Sequence, residues 1–549
     1  MLDDLDLSGI QDERARALII RLLNLMEDLA ADLRTAQEEI QRLRDANNRL
    51  KGEQAKPTVK PNTAPSHSPD HSSERERRQP TERVKRGKRA RISIDREQTL
   101  RIDPATLPAD AQFKGYEDVL VQDLIMRSDN VLFHKEVFYS PAVGRSYRAS
   151  LPRGYQGEFG PGVKALTLVL YFGCLMSEAK IRELFVNVGL TIAEGTISNL
   201  LIKDQDPFHA EKDALYQAGL RSSPWQHIDD TSTRVNGQNQ HCQIVCNPLY
   251  TTYHTTLSKD RLTIIDVLRN GAPRRFRLNA EALGYLDQVH LSQLTRQQVL
   301  QFPWEQDFDD ATLERLLRMH LPNVGEQQRK WISDALAVAA YHAQTEWPVV
   351  RLLVCDAAPQ FTWVTEDLAL CWVHEGRHYK KLTPWVAAHR VALEAFLTQF
   401  WAFYDELLAY RARPTPAERV RLAAAFDTLF ATSTDYWALN DRIAKTRAKK
   451  GALLMVLDHP EIPLHNNPAE LGARQRVRKR DVSFGPRTHE GAQAWDTFMS
   501  LADTTRKLGL SFYHYIHDRI RGEQRIPALA DLINEQAQDL NLGASWATP

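Results

Sequence analysis

Two runs of strand-forming residues joined by Asn236-Gly237 constrain this chain more than any other stretch. Residues 225–235 and 241–249 read as strands, and an Asn-Gly pair readily takes the positive φ angles of a tight antiparallel connection. A third strand is expected at 250–257, and strand character returns at 349–355 and 368–373. Two helical stretches interrupt this pattern. The first spans about 275–346, with its clearer helices at 311–320 and 326–342. The second spans about 384–455, where Phe396, Phe400, Phe403 and Leu407 form a 4-3-4 stripe that reads as core packing rather than a ligand box. The expectation is an α/β core, about 216–515, with helical insertions.

The chain ahead of that core changes character four times. Ile19, Met26, Leu33, Ile40 and Asn47 share one position of a seven-residue repeat, and Leu22, Leu29, Ala36, Leu43 and Leu50 share another. Such an a/d seam predicts a coiled coil over 1–52 and self-association into a homo-oligomer, with a helix packed against its own chain as the alternative. Residues 53–92 are rich in Pro, Ser and charge and read as a disordered linker, ending in a basic run that contains Lys85, Arg86, Lys88 and Arg89. Residues 93–160 read as a small strand-rich module, with strands expected at 119–122 and 131–139. Within 161–215, helical patterns at 177–188 and 191–202 flank Gly189-Leu190, with Ser177 or Thr191 as N-caps. That spacing fits a helix-turn-helix whose second helix enters a DNA major groove; two short helices of an ordinary core are the alternative. A helical tail is expected at 516–549, and a helix at 495–508 closed by Gly509.

Net charge names no partner, because 70 Lys and Arg balance 70 Asp and Glu. The distribution is more telling: residues 75–91 carry nine basic residues against two Glu, and residues 474–480 carry five in seven. Each run would suit a phosphate backbone or simply a solvated face. The five cysteines form no disulfide framework and no CxxC pair; Cys242, Cys246 and Cys355 read as core thiols. The opening residues lack the basic and apolar regions of a secretory signal, and no run approaches the roughly 20 apolar residues of a membrane span. The expected location is the cytoplasm.

Three carboxylates carry the candidate chemistry. Asp229 sits in Trp225-Gln-His-Ile-Asp-Asp-Thr231, Asp356 ends a buried-strand pattern, and Glu470 follows His465-Asn-Asn-Pro-Ala. Asp229 and Asp230 alternate on a strand, so both cannot enter one site. Two strand aspartates and one helix glutamate can hold a pair of divalent ions roughly 3.5–4 Å apart. A single Asp at a strand end is more often a cap or turn residue, so the carboxylates alone leave the matter open.

Four segments in order add to them: His227-Ile-Asp-Asp-Thr231, Cys371-Trp-Val-His374-Glu-Gly-Arg377, Asn466-Asn-Pro-Ala-Glu470-Leu-Gly-Ala-Arg474 and Arg478-Lys-Arg-Asp-Val-Ser-Phe-Gly485. Together they resemble the transposases of the insertion sequence 66 family, over most of the chain and most clearly from about 163 to 515. The resemblance implies a ribonuclease H-like mixed sheet, with Asp229, Asp356 and Glu470 as catalytic ligands to two Mg²⁺ or Mn²⁺ ions. It implies cleavage and joining of double-stranded DNA ends, with accessory proteins of the same element as further expected partners. Arg377, Arg474, Arg478 and Lys479 are then expected at phosphates, and Asn466 and Asn467 are expected to orient the glutamate or bind backbone. Cys371 and His374 are expected to play a structural part near the site; as a zinc site they offer only two ligands.

The chain also departs from the family. Residues 90–160 lack the cysteine-rich zinc module common there, His465 stands where Asp is usual, and Leu471 where Arg is usual. These departures keep a second reading in play: an inactive or domesticated transposase acting as a DNA-binding protein.

Overall fold

The computed structural model describes residues 12–50, 92–108 and 110–546, with the side chains of residues 49 and 50 not described. The basic run containing Lys85, Arg86, Lys88 and Arg89 therefore lies outside the described residues. The architecture is mixed α/β: two short antiparallel ribbons and a five-stranded sheet among many helices.

The central sheet is built from β3 (Trp225–Val235), β4 (Gln238–Cys246), β5 (Thr251–Thr256), β8 (Leu352–Cys355) and β9 (Asp367–Leu370), in the order β5-β4-β3-β8-β9. The first three strands form an antiparallel meander, and β3, β8 and β9 run parallel. Asn236 and Gly237 make the β3–β4 turn with φ of 49° and 75°, the conformation an Asn-Gly pair supplies cheaply. β4 begins three residues earlier than its apolar pattern suggested, because the two-residue turn extends pairing to Val235–Gln238.

Alternation along β8 divides the hydrophobic interior. Leu352 and Val354 face a core that includes the buried Phe396, Phe400, Phe403 and Leu407 stripe of the second insertion. Leu353 and Cys355 face the larger core, which holds Ile332, Leu336 and Ala339 of the helix Glu326–Ala343. The sheet is thus buried on both faces, as parallel strands require. The first insertion is not wholly helical. It contains the ribbon β6 (Phe276–Arg277) and β7 (Asp307–Phe308), too short to be seen as a pattern.

The β5 edge is sealed by side chains. Helix His489–Lys507 presents Asp496, Ser500 and Thr504 at four-residue spacing, and they accept the N–H groups of Thr255 (2.6 Å), Tyr253 (3.0 Å) and Thr251 (3.2 Å). Every second residue of an edge strand points its N–H outward, so a helical i, i+4, i+8 row can satisfy three in turn. This helix is buried nearly all round rather than amphipathic, and it starts earlier than expected. Gly509 closes it at φ 73°, as its position predicted.

Upstream, the expected helix pair exists as Glu178–Asn187 and Glu194–Ile202. Ser177 caps the first through the Lys180 N–H at 3.4 Å; the second begins after Ala193 rather than at Thr191. The expected strand at 119–122 is absent, and the 131–139 run yields only β1 (Val137–Ser140), paired with β2 (Arg145–Arg148). Most apolar side chains between Ile94 and Tyr147 are exposed, so no buried face offsets the entropy of a further strand. The tail is helical at Phe512–Arg521 and Leu529–Leu540.

The N-terminal helix, Glu13–Leu50, has one buried and one exposed apolar face. Leu23, Asn24 and Glu27 are buried against the second insertion. Asn24 Nδ2 donates to the Asp435 carbonyl (2.9 Å), and Glu27 accepts the Trp385 and Val386 N–H groups (2.8 and 2.7 Å) at the start of helix Ala387–Ala412. Meanwhile Leu22, Leu29, Leu33, Ile40 and Leu43 of the a/d seam stay exposed.

Candidate functional site

The parallel register brings the two aspartates level. Trp225 pairs with Leu352 and His227 with Val354; two residues on, the same offset sets Asp229 beside Asp356, just past the end of β8. The β8–β9 register likewise brings Cys371 level with Asp356, and the Cys371 N–H donates to the Cys355 carbonyl at 3.0 Å. Carboxyl ends of neighbouring parallel strands are where α/β sheets place ligands.

Glu470 reaches this edge on the helix Asn467–Ser483. Ile244 is opposite Asp229 in the β3–β4 ladder, so both project from one face. Gly472 rests on that Ile244, and a Cβ there would fall 2.8 Å from Ile244 Cγ2. The absent side chain lets the helix descend onto the sheet. Asn466, fully buried, ties its start down: Nδ2 donates to the Ile228 carbonyl (2.7 Å), Oδ1 accepts from His227 Nδ1 (2.9 Å), and the backbone N–H points at Cys371 Sγ (3.2 Å). Burial pushes His227 down to about 3, so the ring stays neutral and donates. Asn466 thus ties the helix start to the chain's own backbone at Ile228, and Asn467 donates its N–H to His465 Nδ1 at 3.3 Å.

The carboxylates act on one another. Burial lifts Asp229 to about 7; the Asp230 N–H on its Oδ1 (2.9 Å) opposes this, and the charges of Asp356 and Glu470 add to it. Asp230 projects elsewhere, to Lys259 (3.3 Å) and Gln360 (3.2 Å). Asp356 Oδ1 accepts the Ala358 N–H at 3.0 Å. Asp229, Asp356 and Glu470 offer the hard oxygen donors that divalent cations prefer, and their charges reach one another. Among the described residues, the group whose donor atoms all lie within 4.8 Å is instead Cys371, His374 and Glu470.

Not every expected phosphate contact is free. Arg474 and Arg478 are exposed on the glutamate helix. Lys479 is not: its side chain is 0% exposed, its ammonium lies 3.1 Å from the Tyr171 ring centre, and it donates to the Met176 carbonyl at 3.0 Å. Burial pushes Lys479 down to about 7, whereas the ring face and the carbonyl favour the cation. The expectation that it contacts DNA is corrected, because it fastens the glutamate helix to the 169–176 region. Arg377 meets Glu470 Oε2 at 3.0 Å and His374 Nε2 at 3.1 Å.

Cys371 N-caps the helix Trp372–Lys380, which carries His374 and Arg377 one turn apart. Burial pushes the thiol up to about 11, with the N–H groups of Asn466, His374 and Val373 pulling the other way. Two buried features that sequence reasoning missed fix this helix. Glu375 accepts from Arg442, Thr446 (2.6 Å) and Lys449 (3.2 Å) of the second insertion, and Gly376 lies so close to Trp401 that a Cβ would sit 2.5 Å from its ring. The only available signal was a Glu-Gly pair inside a helical run.

Among the described residues, no helix is long and apolar enough to cross a membrane. Residues 342–494 match the domain described as Transposase IS66 family, a span holding Asp356, Cys371, His374 and Glu470. The uncharacterized protein y4jO of Sinorhizobium fredii is 31% identical over 342 residues, which is 59% of this chain and all of that protein. With the relative covered end to end and the domain match lying across the site, the chain belongs to the IS66 family of transposases.

Proposed function

We propose that this chain is a DNA transposase that cleaves element ends and joins them to target DNA by metal-dependent phosphoryl transfer, with Asp229, Asp356 and Glu470 as the ion ligands. The observation that carries the reading is the placement of Asp229 level with Asp356 at the sheet's carboxyl edge, under a helix that brings Glu470 near enough to raise the Asp229 pKa. The strand order β5-β4-β3-β8-β9, an antiparallel meander extended by two parallel strands, supports a ribonuclease H-like core. Bound at these carboxylates, a pair of Mg²⁺ or Mn²⁺ ions would supply an activated attacking oxygen and neutralise the leaving one.

The chain's own residues have separable duties. Asp229 and Asp356 are held at fixed height by the sheet, and Asn466 fixes where the glutamate helix begins. Arg377 holds Glu470 Oε2 with a cation that an exposed, flexible side chain can withdraw. Arg474 and Arg478 extend a basic face toward double-stranded DNA, where they would meet phosphates. The division into a coiled-coil helix (1–52), linker (53–92), small module (93–160), helix-turn-helix-like region (161–215), catalytic core (216–515) and tail (516–549) belongs to the same reading. So do cytoplasmic action and self-association along the exposed a/d seam.

The test is strand cleavage and joining on labelled DNA bearing the element's own ends, with any accessory proteins that the element encodes. Wild type should give metal-dependent 3′-hydroxyl ends and joined product, and Glu470→Gln should give neither while still binding DNA. Equal product from both would end the assignment; DNA binding without product from wild type would mark a chain that kept the fold and lost the chemistry.

A further inference from the structure

The CxxH segment has a third potential ligand that its sequence does not reveal. Cys371 Sγ, a nitrogen of His374 and a carboxylate oxygen of Glu470 all lie within 4.8 Å of one another. Two arrive from the first turn of helix Trp372–Lys380 and one from the first turn of helix Asn467–Ser483. A second observation points to a ligand here: His374 Nδ1 is buried and has no hydrogen-bond partner, while facing Glu470 Oε1 at 3.5 Å. Buried ring nitrogens without hydrogen-bond partners are uncommon, and this one stands beside a carboxylate and a thiol, the donor types that join imidazole around a bound cation.

We propose that Cys371, His374 and Glu470 form a binding site for a thiophilic divalent cation such as Zn²⁺, and that its occupancy withdraws Glu470 from the Asp229–Asp356 pair. Sulfur and imidazole are softer donors than the oxygens around Asp229, so the two places select different ions. Three protein ligands and one open position is a common zinc arrangement, with bonds of about 2.0–2.3 Å. With all three atoms already within 4.8 Å of one another, reaching such bond lengths needs movements of no more than about 1 Å, within reach of side chains on two helix ends. The Asn466 N–H at 3.2 Å from Sγ supplies the hydrogen bond that steadies a ligating thiolate. Ligation through Nδ1 puts the ring proton on Nε2, so Arg377 must leave that nitrogen; being exposed, it can. Binding releases the Cys371 proton to solvent and forms the metal–sulfur bond, with no oxidant or reductant involved.

The loss of function rests on Glu470 being a catalytic ligand, but the binding does not, so the two fail separately. The probe is Co²⁺ added alone to the full-length protein without DNA. One equivalent should give the sulfur-to-cobalt charge-transfer band and the d–d bands of four-coordinate cobalt, displaced by Zn²⁺. Cys371→Ser should abolish the charge-transfer band. Because Cys371 is buried and its variant could misfold, His374→Ala is the second probe, expected to weaken Zn²⁺ binding at least about tenfold. Asp229→Asn should leave the cobalt spectrum unchanged. In cleavage assays Zn²⁺ should inhibit the Mg²⁺-dependent reaction, and His374→Ala should raise the inhibitory concentration relative to that variant's own uninhibited rate. A cobalt spectrum without the sulfur band, or one unaltered in His374→Ala, overturns the site. Full sulfur ligation without any inhibition overturns its effect on Glu470.

Discussion

Asp496 and Asp229 are both aspartates set against the central sheet, and the fold treats them in opposite ways. Asp496 accepts the Thr255 N–H (2.6 Å) and hydroxyl (2.8 Å) and faces the fully buried Arg476 at 3.2 Å. Asp229, one strand beyond β4, is buried, receives a single N–H and is pressed by the charges of Asp356, Glu470 and Asp230. At one edge the polar groups are satisfied and lock a helix to a strand. At the other, charge is concentrated beyond what local donors can balance. Such imbalance is common at functional sites, and it is one reason the proposed chemistry is assigned to Asp229 rather than to Asp496.

The sharpest way to break the comparison is to neutralise each aspartate. Asp229→Asn should reduce strand cleavage to background while the urea midpoint of the metal-free protein holds or rises, because a buried, repelled charge is removed. A falling midpoint would place Asp229 among the structural groups instead. Asp496→Ala should do the reverse to the scaffold: leaving Arg476 buried and unpaired costs about 3–5 kcal/mol, read from chemical denaturation. Gly472→Ala tests whether the glutamate helix must touch the sheet. Its Cβ would press on the buried, β-branched Ile244, costing about 1–3 kcal/mol and lowering cleavage by more than the stability loss accounts for.

The smallest effect lies in the first insertion, far in character from either aspartate. Burial disfavours the charged His342 ring, yet Glu281, 2.5 Å from Nδ1, outweighs it and holds His342 above its ordinary 6.5. A raised histidine lends stability that is whole below 6.5 and fades as pH rises through the higher folded-state value. Wild type should therefore lose stability relative to His342→Gln above that range, by less than about 1 kcal/mol for so open a partner. A difference that stays constant with pH would show that the pair carries no charge.

Periodicity made the hairpin legible, since alternating residues around Asn-Gly admit few other structures. It failed at 119–122, where strand-forming residues lack a partner and a buried face. The basic run at 474–480 looked uniform, but helical geometry divides it: Arg474 and Arg478, four apart, face outward, while Arg476 and Lys479, three apart, face the interior. Nothing in the residue types announces which pair turns inward; the aromatic rings of Tyr171 and Trp495, distant in sequence, decide it. The three carboxylates were identified as candidates from order and motif. The level placement of Asp229 and Asp356 depends on a parallel register between strands more than a hundred residues apart, which no local pattern encodes.

The N-terminal helix is clamped to the second insertion through Asn24 and Glu27 and is open along its leucines. Its 38 residues span about 57 Å at 1.5 Å per residue. Were two copies to meet along that open side, the clamp would turn zipper register into distance between their DNA-processing centres. One heptad of slip would move those centres by about 10 Å, so spacing would come in discrete steps rather than from a slack tether.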